Sequence, residues 1–502
     1  MKFSWSLAPS QPLLAGRLAS ALAIPPLLAQ CLLNRGLTET TAIENFLAPR
    51  LKHLSNPFLL PDMDKAVDRL FRAREKEETV VIFGDYDVDG VTATGLLMEV
   101  LRPLGWRAEF YLPNRMEEGY GLTDDAVENC LNRFQTKLLL AVDCGSTSVD
   151  TITALGARGV DVIVLDHHQI SSPAPQAVAL VNPRAAIPAA DNGCHNPATA
   201  PLTELCSAGL AFKLAHALVK RGREAKLSGM ASFDLKPLLD LVALGTIADL
   251  VPLAGENRIF AWAGLRQLNQ TRRPGITALK QAARIGDKIG VYEVTFQLAP
   301  RLNAAGRLEN AEESLHLLLA ESLEKATPLA NRLDERNRER QKIEKAIVEE
   351  ALGALRPRFD PANHFVIVEG QVPWHIGVVG IVASRVLQEF YRPTIIIGGG
   401  DASTEPRALA SGELAADASI EMRGSGRSIA GFDLAAALRE CGHLLVRHGG
   451  HAMAAGLSII PDNIALLREK LNELARRTLK PDHLQPSLHL DAEVGLDEMT
   501  FE

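Results

Sequence analysis

The chain has 502 residues, too many for one ordinary domain, so two or three are expected. Hydrophobic residues make up 47% and charged residues 23%, the balance of a soluble globular protein and not of a disordered or fibrous one. The formal net charge of −8 excludes a globally basic protein, but not a nucleic-acid partner, because divalent cations and local arginine clusters can offset it.

Six cysteines (Cys31, Cys130, Cys144, Cys194, Cys206, Cys441) show no CxxC spacing, and Cys194-His195 has no second half, which argues against a zinc knuckle. Reduced thiols of a cytoplasmic protein are the simpler account. Lys2 is not followed by a long apolar core with a small-residue cleavage site, and no apolar run reaches about 18 residues. Neither a leader nor a membrane span is therefore expected.

In chain order, residues 1–60 carry short helical patterns broken by Pro12, Pro25-Pro26, Pro49 and Pro57, and read as a small helical preface. Residues 61–260 alternate apolar, β-prone runs with helical stretches. The runs are Thr79–Phe83, Leu138–Ala141 and Val162–Leu165; helices are expected from about Thr92 to Leu101 and through Val149, Ile152 and Leu155. This alternation predicts an α/β domain with a doubly wound parallel sheet. Pro173–Pro201, rich in Pro, Ala, Asn and Gly, reads as a long loop, and Leu202–Lys220 as helix. Leu238–Asp249 is apolar with an acidic end; helix running into a turn is one reading, and periodicity alone does not decide it.

Residues 261–356 read as a connecting helical region. Its most charged part places Leu329, Leu333, Ile343, Ile347 and Val348 at helical spacing, which predicts a long amphipathic helix that Pro328 should start or break. Residues 357–478 hold a second, smaller α/β pattern, with strands at Phe365–Val368 and Thr394–Ile397 followed by Gly-rich segments. Residues 479–502 form a tail that looks like the opening of another element.

Chemistry concentrates where the first domain's strands end. Gly84-Asp85-Tyr86-Asp87-Val88-Asp89-Gly90, Val142-Asp143 and Asp166-His167-His168 each follow an apolar run. Open α/β sheets place ligand sites at this carboxyl edge. On an extended segment Asp85, Asp87 and Asp89 would point to one face and converge. Gly90 would then permit a tight turn into a helix whose N-terminus favours anions. Carboxylates with a few imidazoles suit Mn²⁺ or Mg²⁺ better than a thiolate zinc cage. Two cations about 3.5–4 Å apart need a bridging carboxylate with separate ligands on each side. Asp85, Asp87, Asp89, Asp143, His167 and Asp249 supply enough ligands for that. A single DxD is more often a solvated helix cap; several such strand ends in one α/β unit favour a metal site. Asp249 is weak by itself, and Asp240 competes with it. Adjacent histidines allow one to ligate metal while the other reaches a phosphate.

Asp85–Gly90, Asp166-His167-His168 and Leu241–Leu253 resemble the DHH phosphoesterase superfamily. The similarity extends from about residue 60 to 478 and includes Pro300–Leu308, Trp374–Gly380, Gly424–Ser428 and Gly449–Gly456. Within the superfamily the chain is most similar to the single-strand-specific DNA exonucleases. The resemblance implies a DHH catalytic domain, a connecting helix and a smaller α/β DHHA1 domain facing it across a groove. It implies two Mn²⁺ or Mg²⁺ ions: Asp85 and Asp87 on one, Asp89, His167 and Asp249 on the other, Asp143 bridging. His168, with Asp166 before it, is the candidate catalytic group at the scissile phosphate. Ser425, Arg427, Gly449, Gly450 and His451, with Arg115, Arg301, Asn303 and Arg307, are candidates to hold the 5′ end and the strand backbone; Gly-rich loops offer N–H groups to phosphate, and arginine binds it bidentately.

The activity implied is 5′→3′ hydrolysis of single-stranded DNA in repair and recombination, by a monomer, with a single-strand-binding protein and a helicase as partner classes. Aromatic residues are only 5%, so no base-stacking platform is nominated. Relatives usually continue into an OB-fold domain, of which 487–502 would be the start. The alternatives are a phosphodiesterase of short oligonucleotides or cyclic dinucleotides, and a non-enzymatic binding module that has lost ligands; every expected ligand is present here.

Overall fold

The computed structural model describes residues 3–114, 118–119, 121–186, 202–308, 310–399 and 421–495. Arg115 and the Cys194-His195 pair lie outside the described residues. The chain divides into two units, Thr41–Arg338 and Met1–Thr40 with Glu339–Glu502.

Strand β1 (Ser4–Leu7) opens the chain. The Thr41–Arg338 unit is built on β2 (Thr79–Gly84), β3 (Arg107–Tyr111), β4 (Leu138–Val142), β5 (Asp161–Leu165) and β6 (Ala179–Val181), in the order β3-β2-β4-β5-β6. Every pairing in this sheet is parallel. Apolar side chains leave both faces: Val80, Ile82, Leu138 and Leu140 enter one core, and Val81, Phe83, Leu139 and Ala141 the other. Burial on both sides explains why these strands read as continuous apolar runs instead of alternating ones.

Strand β6 falls inside Pro173–Pro201, read from sequence as a loop. Ala-Leu-Val is too short to show a period, and only its pairing with β5 makes it a strand. Leu238–Asp249 resolves as a helix, Leu239–Ala248, with Asp249 at its C-terminal end. Asp240 is buried there and bound by Arg273, Nε to Oδ2 at 3.0 Å, an arginine that also pairs with Glu99. That ion network takes Asp240 out of the ligand set. Pro328 neither starts nor breaks its helix, which runs from Leu323 to Leu355. Pro328 is the sixth residue of this helix, past its first four N–H groups, and gives up the one i→i−4 bond to the Glu324 carbonyl while the helix continues on either side.

In the other unit, β7 (Ile367–Gln371), β8 (Thr394–Gly398), β9 (Met422–Arg427), β10 (Arg447–His451) and β11 (Ala454–Ile459) form a mixed sheet ordered β10-β11-β9-β8-β7. One face packs on the helices Leu434–Glu440 and Ile464–Thr478 through Val368, Ile395, Ile397, Leu457 and Ile459. The other packs Ile367 and Ile396 on the Val379–Phe390 helix and on Ile347, Ala351 and Leu355. Strand β12 (Ser487–Leu490) pairs in parallel with β1, and Asn34 Nδ2 donates to the Asp491 carbonyl at 2.7 Å, so the two chain ends belong to one unit. No single helix among the described residues is long and apolar enough to cross a membrane.

Helices Gly255–Asn269 and Leu239–Ala248 touch backbone to backbone: a methyl group at Gly264 would overlap the Leu239 carbonyl and Ala243 Cβ. Gly264→Ala gains about 1 kcal/mol of helix propensity, but forcing these helices apart costs roughly 1–3 kcal/mol. The expected net effect is a lower melting temperature by calorimetry; an unchanged or higher one would contradict this packing.

Candidate metal centre

Strand β2 delivers Asp85 directly after Gly84. The helix then begins earlier than the sequence suggested, at Val88, because Asp87 caps it: its Oδ1 accepts from Asp89 N at 2.9 Å and Gly90 N at 3.2 Å. The three carboxylates therefore converge through a strand–turn–helix corner and not along an extended segment. Gly90 sits in the helix's first turn. A Cβ there would lie 2.7–2.8 Å from Asp85 backbone atoms, so only glycine lets the corner close. The Ala299–Leu308 helix backs the corner: Asn303 Oδ1 accepts from Val88 N at 3.0 Å, and a Cβ on Gly306 would meet the Tyr86 carbonyl at 2.7 Å.

Asp143 follows β4 with φ of +64°, a left-handed conformation rare outside glycine. Such strain collects where function fixes the backbone. Strand β5 delivers Asp166-His167-His168, and the Leu239–Ala248 helix delivers Asp249.

These residues form overlapping groups whose potential ligand atoms lie within 4.8 Å of one another: Asp85, Asp87 and Asp143; Asp89, His167 and Asp249; Asp143, His167 and His168. His167 Nε2 is buried and makes no hydrogen bond among the described residues. It faces Asp143 Oδ1 at 3.4 Å, Asp249 Oδ2 at 3.6 Å and Asp89 Oδ2 at 3.8 Å. These separations are too long for hydrogen bonds and suit atoms that surround a common cation. The donor set, oxygen-rich with one or two imidazoles, fits Mn²⁺ or Mg²⁺.

Comparison with known proteins agrees with this geometry. Residues 79–246 match the DHH family, N-terminal domain, and 363–477 match the DHHA1 domain. The single-stranded-DNA-specific exonuclease RecJ of Escherichia coli is 34% identical, over 95% of this chain and 80% of its own length. The chain belongs to the RecJ family. Bacillus subtilis RecJ is 37% identical over 97% of this chain. The crystal structure of Thermus thermophilus RecJ with Mn²⁺ is 30% identical, with a TM-score of 0.77 over 97% of this chain. The chain spans 57% of the Bacillus protein and 64% of the Thermus chain.

Electrostatics at this RecJ-family centre follow from crowding like charges in a buried place. Burial first, and then Asp89, Asp87 and Asp85, push the Asp143 carboxyl well above the usual range. Burial, Asp89 and Asp87 push Asp249 up to about 8. Burial lowers the His167 value against the pull of Asp89, which keeps its imidazole neutral, as a ligand must be. Burial also opposes charge on His168, but the hydrogen bond to Asp166 and the negative charge of Asp166 and Asp85 outweigh it and raise His168 to about 9. Asp166 Oδ1 accepts His168 Nδ1 at 2.7 Å and His167 N at 2.7 Å, and its Oδ2 accepts Ser146 N at 3.0 Å. Asp166 thus acts through His168 and is a positioning residue.

A pH dependence follows. Without metal, folded Asp249 holds its proton up to about 8, whereas the unfolded carboxyl loses it near 3.8. The unfolded chain then binds fewer protons, so stability falls as pH rises through that window. His168, raised to about 9, acts in the same direction. Thermal melts in EDTA should therefore decline from mildly acidic to mildly basic pH, and Mn²⁺ should flatten the decline by taking the protons' place. A flat EDTA profile would contradict the charge arrangement.

Ser207 was not visible as a site residue in the sequence. The Ser207–Glu224 helix starts on the metal centre: Ser207 N and Ala208 N donate to Asp89 Oδ2 and Oδ1 at 2.7 and 2.8 Å, and Ser207 Oγ donates to Asp143 Oδ1 at 2.8 Å. The only local signal was the onset of helical periodicity; the contact joins positions 118 and 64 residues apart. Asn182, which links Ser146 Oγ at 2.8 Å to the His168 carbonyl at 2.9 Å, was missed for the same reason. Groups that orient ligands typically change metal affinity roughly 10–100-fold when lost. Ser207→Ala should weaken Mn²⁺ binding by that factor in calorimetric titration, and Ser207→Thr should restore part of it.

The remaining candidates divide. Arg301 is engaged within its own unit, Nε with Asp334 at 2.9 Å and Nη1 with the Gln297 carbonyl at 2.7 Å, and Asn303 supports the Asp85–Asp89 corner. Arg307 lies in the last turn of the same helix. In the other unit, Ser425 and Arg427 share β9, and Gly449, Gly450 and His451 lie on β10. Arg427 Nη1 donates to Ser425 Oγ at 3.0 Å and to the Gly426 carbonyl at 2.8 Å. The pairing places Gly449 opposite Gly456 and Gly456 opposite Ser425, with Arg427, Ala454 and His451 in the next row on the same face.

Proposed function

We propose that the chain is a metal-dependent 5′→3′ exonuclease that hydrolyses single-stranded DNA to mononucleotides, in repair and recombination. The observation that carries this reading is the buried, unbonded His167 Nε2 ringed by Asp89, Asp143 and Asp249, beside the Asp85–Asp87–Asp143 group. The RecJ relatives, named as single-stranded-DNA-specific exonucleases, support the substrate assignment.

Asp85 and Asp87 would hold one divalent cation, Asp89, His167 and Asp249 the other, with Asp143 shared. Bound there, the cations would supply an activated water and neutralise charge developing on the phosphate. The chain's own groups do the rest. Asp166 fixes His168 with its Nδ1 proton inward, leaving Nε2 to hold a proton toward a phosphate oxygen. His168 is 46% exposed, against 14% for His167, so one ring is open to a substrate and the other is enclosed for a ligand's role. Ser425, Arg427 and His451 would grip the terminal phosphate, so that cleavage is counted from the 5′ end.

Digestion of 5′-phosphorylated single and double strands and of dinucleotides, with Mn²⁺ or EDTA, tests this. Single strands should be shortened from the 5′ end only with metal, Asp143→Ala should lose at least 100-fold in rate, and Arg427→Ala should reduce the preference for phosphorylated over hydroxyl ends. Cleavage of dinucleotides alone would overturn the exonuclease reading.

A further inference from the structure

Strands β9, β10 and β11 contain no carboxylate in Met422–Arg427, Arg447–His451 or Ala454–Ile459, although the chain as a whole carries a net charge of −8. Their pairing sorts one face into three rows. Arg427 lies opposite Ala454, which lies opposite His451; Ser425 opposite Gly456, opposite Gly449; and Arg423 opposite Ser458, opposite Arg447. Directly paired residues share a face, so these three rows are on one side of the sheet.

The opposite side of the same strands carries Ala455 and Leu457 into a hydrophobic core. On the face with the rows, Ile367 and Ile396 of β7 and β8 are covered by the Val379–Phe390 helix, whereas Arg423, Arg447, Gly449, His451 and Gly456 are exposed. Half of this face is thus packed, and half is an open shelf of glycine and small residues between two basic rows. At the shelf's inner margin Gly380 keeps the helix from crowding it: a Cβ there would stand 3.0 Å from Ser425 Oγ and 3.1 Å from Arg427 Nη2.

Rows two residues apart along a strand are separated by roughly 6.6 Å, and the Arg427 and Arg423 rows by roughly 13 Å. A sugar–phosphate backbone laid along β9 would bring successive phosphates over successive rows. The central row, with no side chain larger than serine, leaves room for the backbone to lie close to the sheet. The outer rows supply guanidinium groups, which bind phosphate bidentately.

We propose that Arg423 and Arg447 form a second phosphate subsite, which holds the third phosphate of a single strand whose terminal phosphate lies at Arg427 and His451. This rests on the proposed reading in which Arg427 and His451 take the 5′ end. It adds a direction, with the strand running from the Arg427 row toward the Arg423 row, and a length requirement of at least three phosphates for full grip. Charge complementarity selects the occupant: an apolar partner would find no apolar side chain larger than Ala454 in these rows.

The test is equilibrium binding of a labelled, 5′-phosphorylated oligodeoxythymidylate to the full chain carrying Asp143→Ala, which removes hydrolysis. Each phosphate contact on a single strand contributes about 0.7 to the slope of log affinity against log salt. The Arg423→Ala/Arg447→Ala variant should lower that slope by about 0.7, the share of the one phosphate they hold, and the Arg423→Lys/Arg447→Lys variant should keep it. A neutral methylphosphonate at the third phosphate should weaken binding to the parent but not to the double alanine variant. An unchanged slope, or equal sensitivity of both proteins to the methylphosphonate, overturns the subsite, as does a parent that binds no single strand. Failure of the nuclease reading would show separately, as absence of Mn²⁺-dependent hydrolysis by the chain with Asp143 intact.

Discussion

The structure depends on negative charge gathered at the end of a buried sheet. Asp89 and Asp143 are each 2% exposed, and no arginine or lysine side chain is paired with them among the described ion pairs. Isolated buried carboxylates are unfavourable by several kcal/mol or more. Here the offset is made from backbone and imidazole. The start of the Ser207–Glu224 helix turns two N–H groups and a hydroxyl onto Asp89 and Asp143, and its dipole adds positive potential at the same place. This is incomplete compensation, and incompleteness gives the site its appetite for divalent cations: full neutralisation by arginine, as at Asp240, would make a stable ion network and no metal centre.

The parts of this arrangement legible in the sequence were those carried by local pattern. Apolar runs ending in Asp85, Asp143 and Asp166 announced both the parallel sheet and its functional edge, since one short segment contains both facts. Asp249 was nominated on a weaker signal, and Asp240, nine residues earlier, looked equally acidic. What separated them was Arg273, remote in sequence and silent until the fold brings it to Asp240. Ser207 and Asn182 are hidden in the same way, and Asn303, named from sequence as a candidate for the strand backbone, gives no sign there of its bond to Val88 N. Each is an ordinary polar residue whose meaning lies in a partner far along the chain. Strand β6 was missed because three residues cannot display a period; its identity is conferred by β5.

One sequence reading brought its residues together by the wrong local geometry. Asp85, Asp87 and Asp89 were expected to converge by alternation on an extended segment. They converge because Asp87 caps a helix, so that Asp89 leaves from its first turn while Asp85 remains at the strand end. The distinction has a physical consequence. Alternation would tolerate many residues at position 90, whereas the corner tolerates only glycine, since the helix start lies against the Asp85 backbone. Arg301 shows the reverse case, in which a plausible phosphate ligand in a polar motif finds Asp334 within reach.

The two adjacent histidines show how one sheet edge separates structural from chemical duties. Both follow the same strand, and their rings are 4.5 Å apart. Asp166 accepts the backbone N–H of both but the ring of only one. His168 is thereby fixed as a tautomer with Nδ1 protonated, raised to about 9, and left half-exposed. His167, enclosed and held neutral, keeps Nε2 for the carboxylate ring. In the Asp-His-His order the first residue turns back on the two that follow, so that one imidazole is held charged and half-exposed and the other neutral and enclosed.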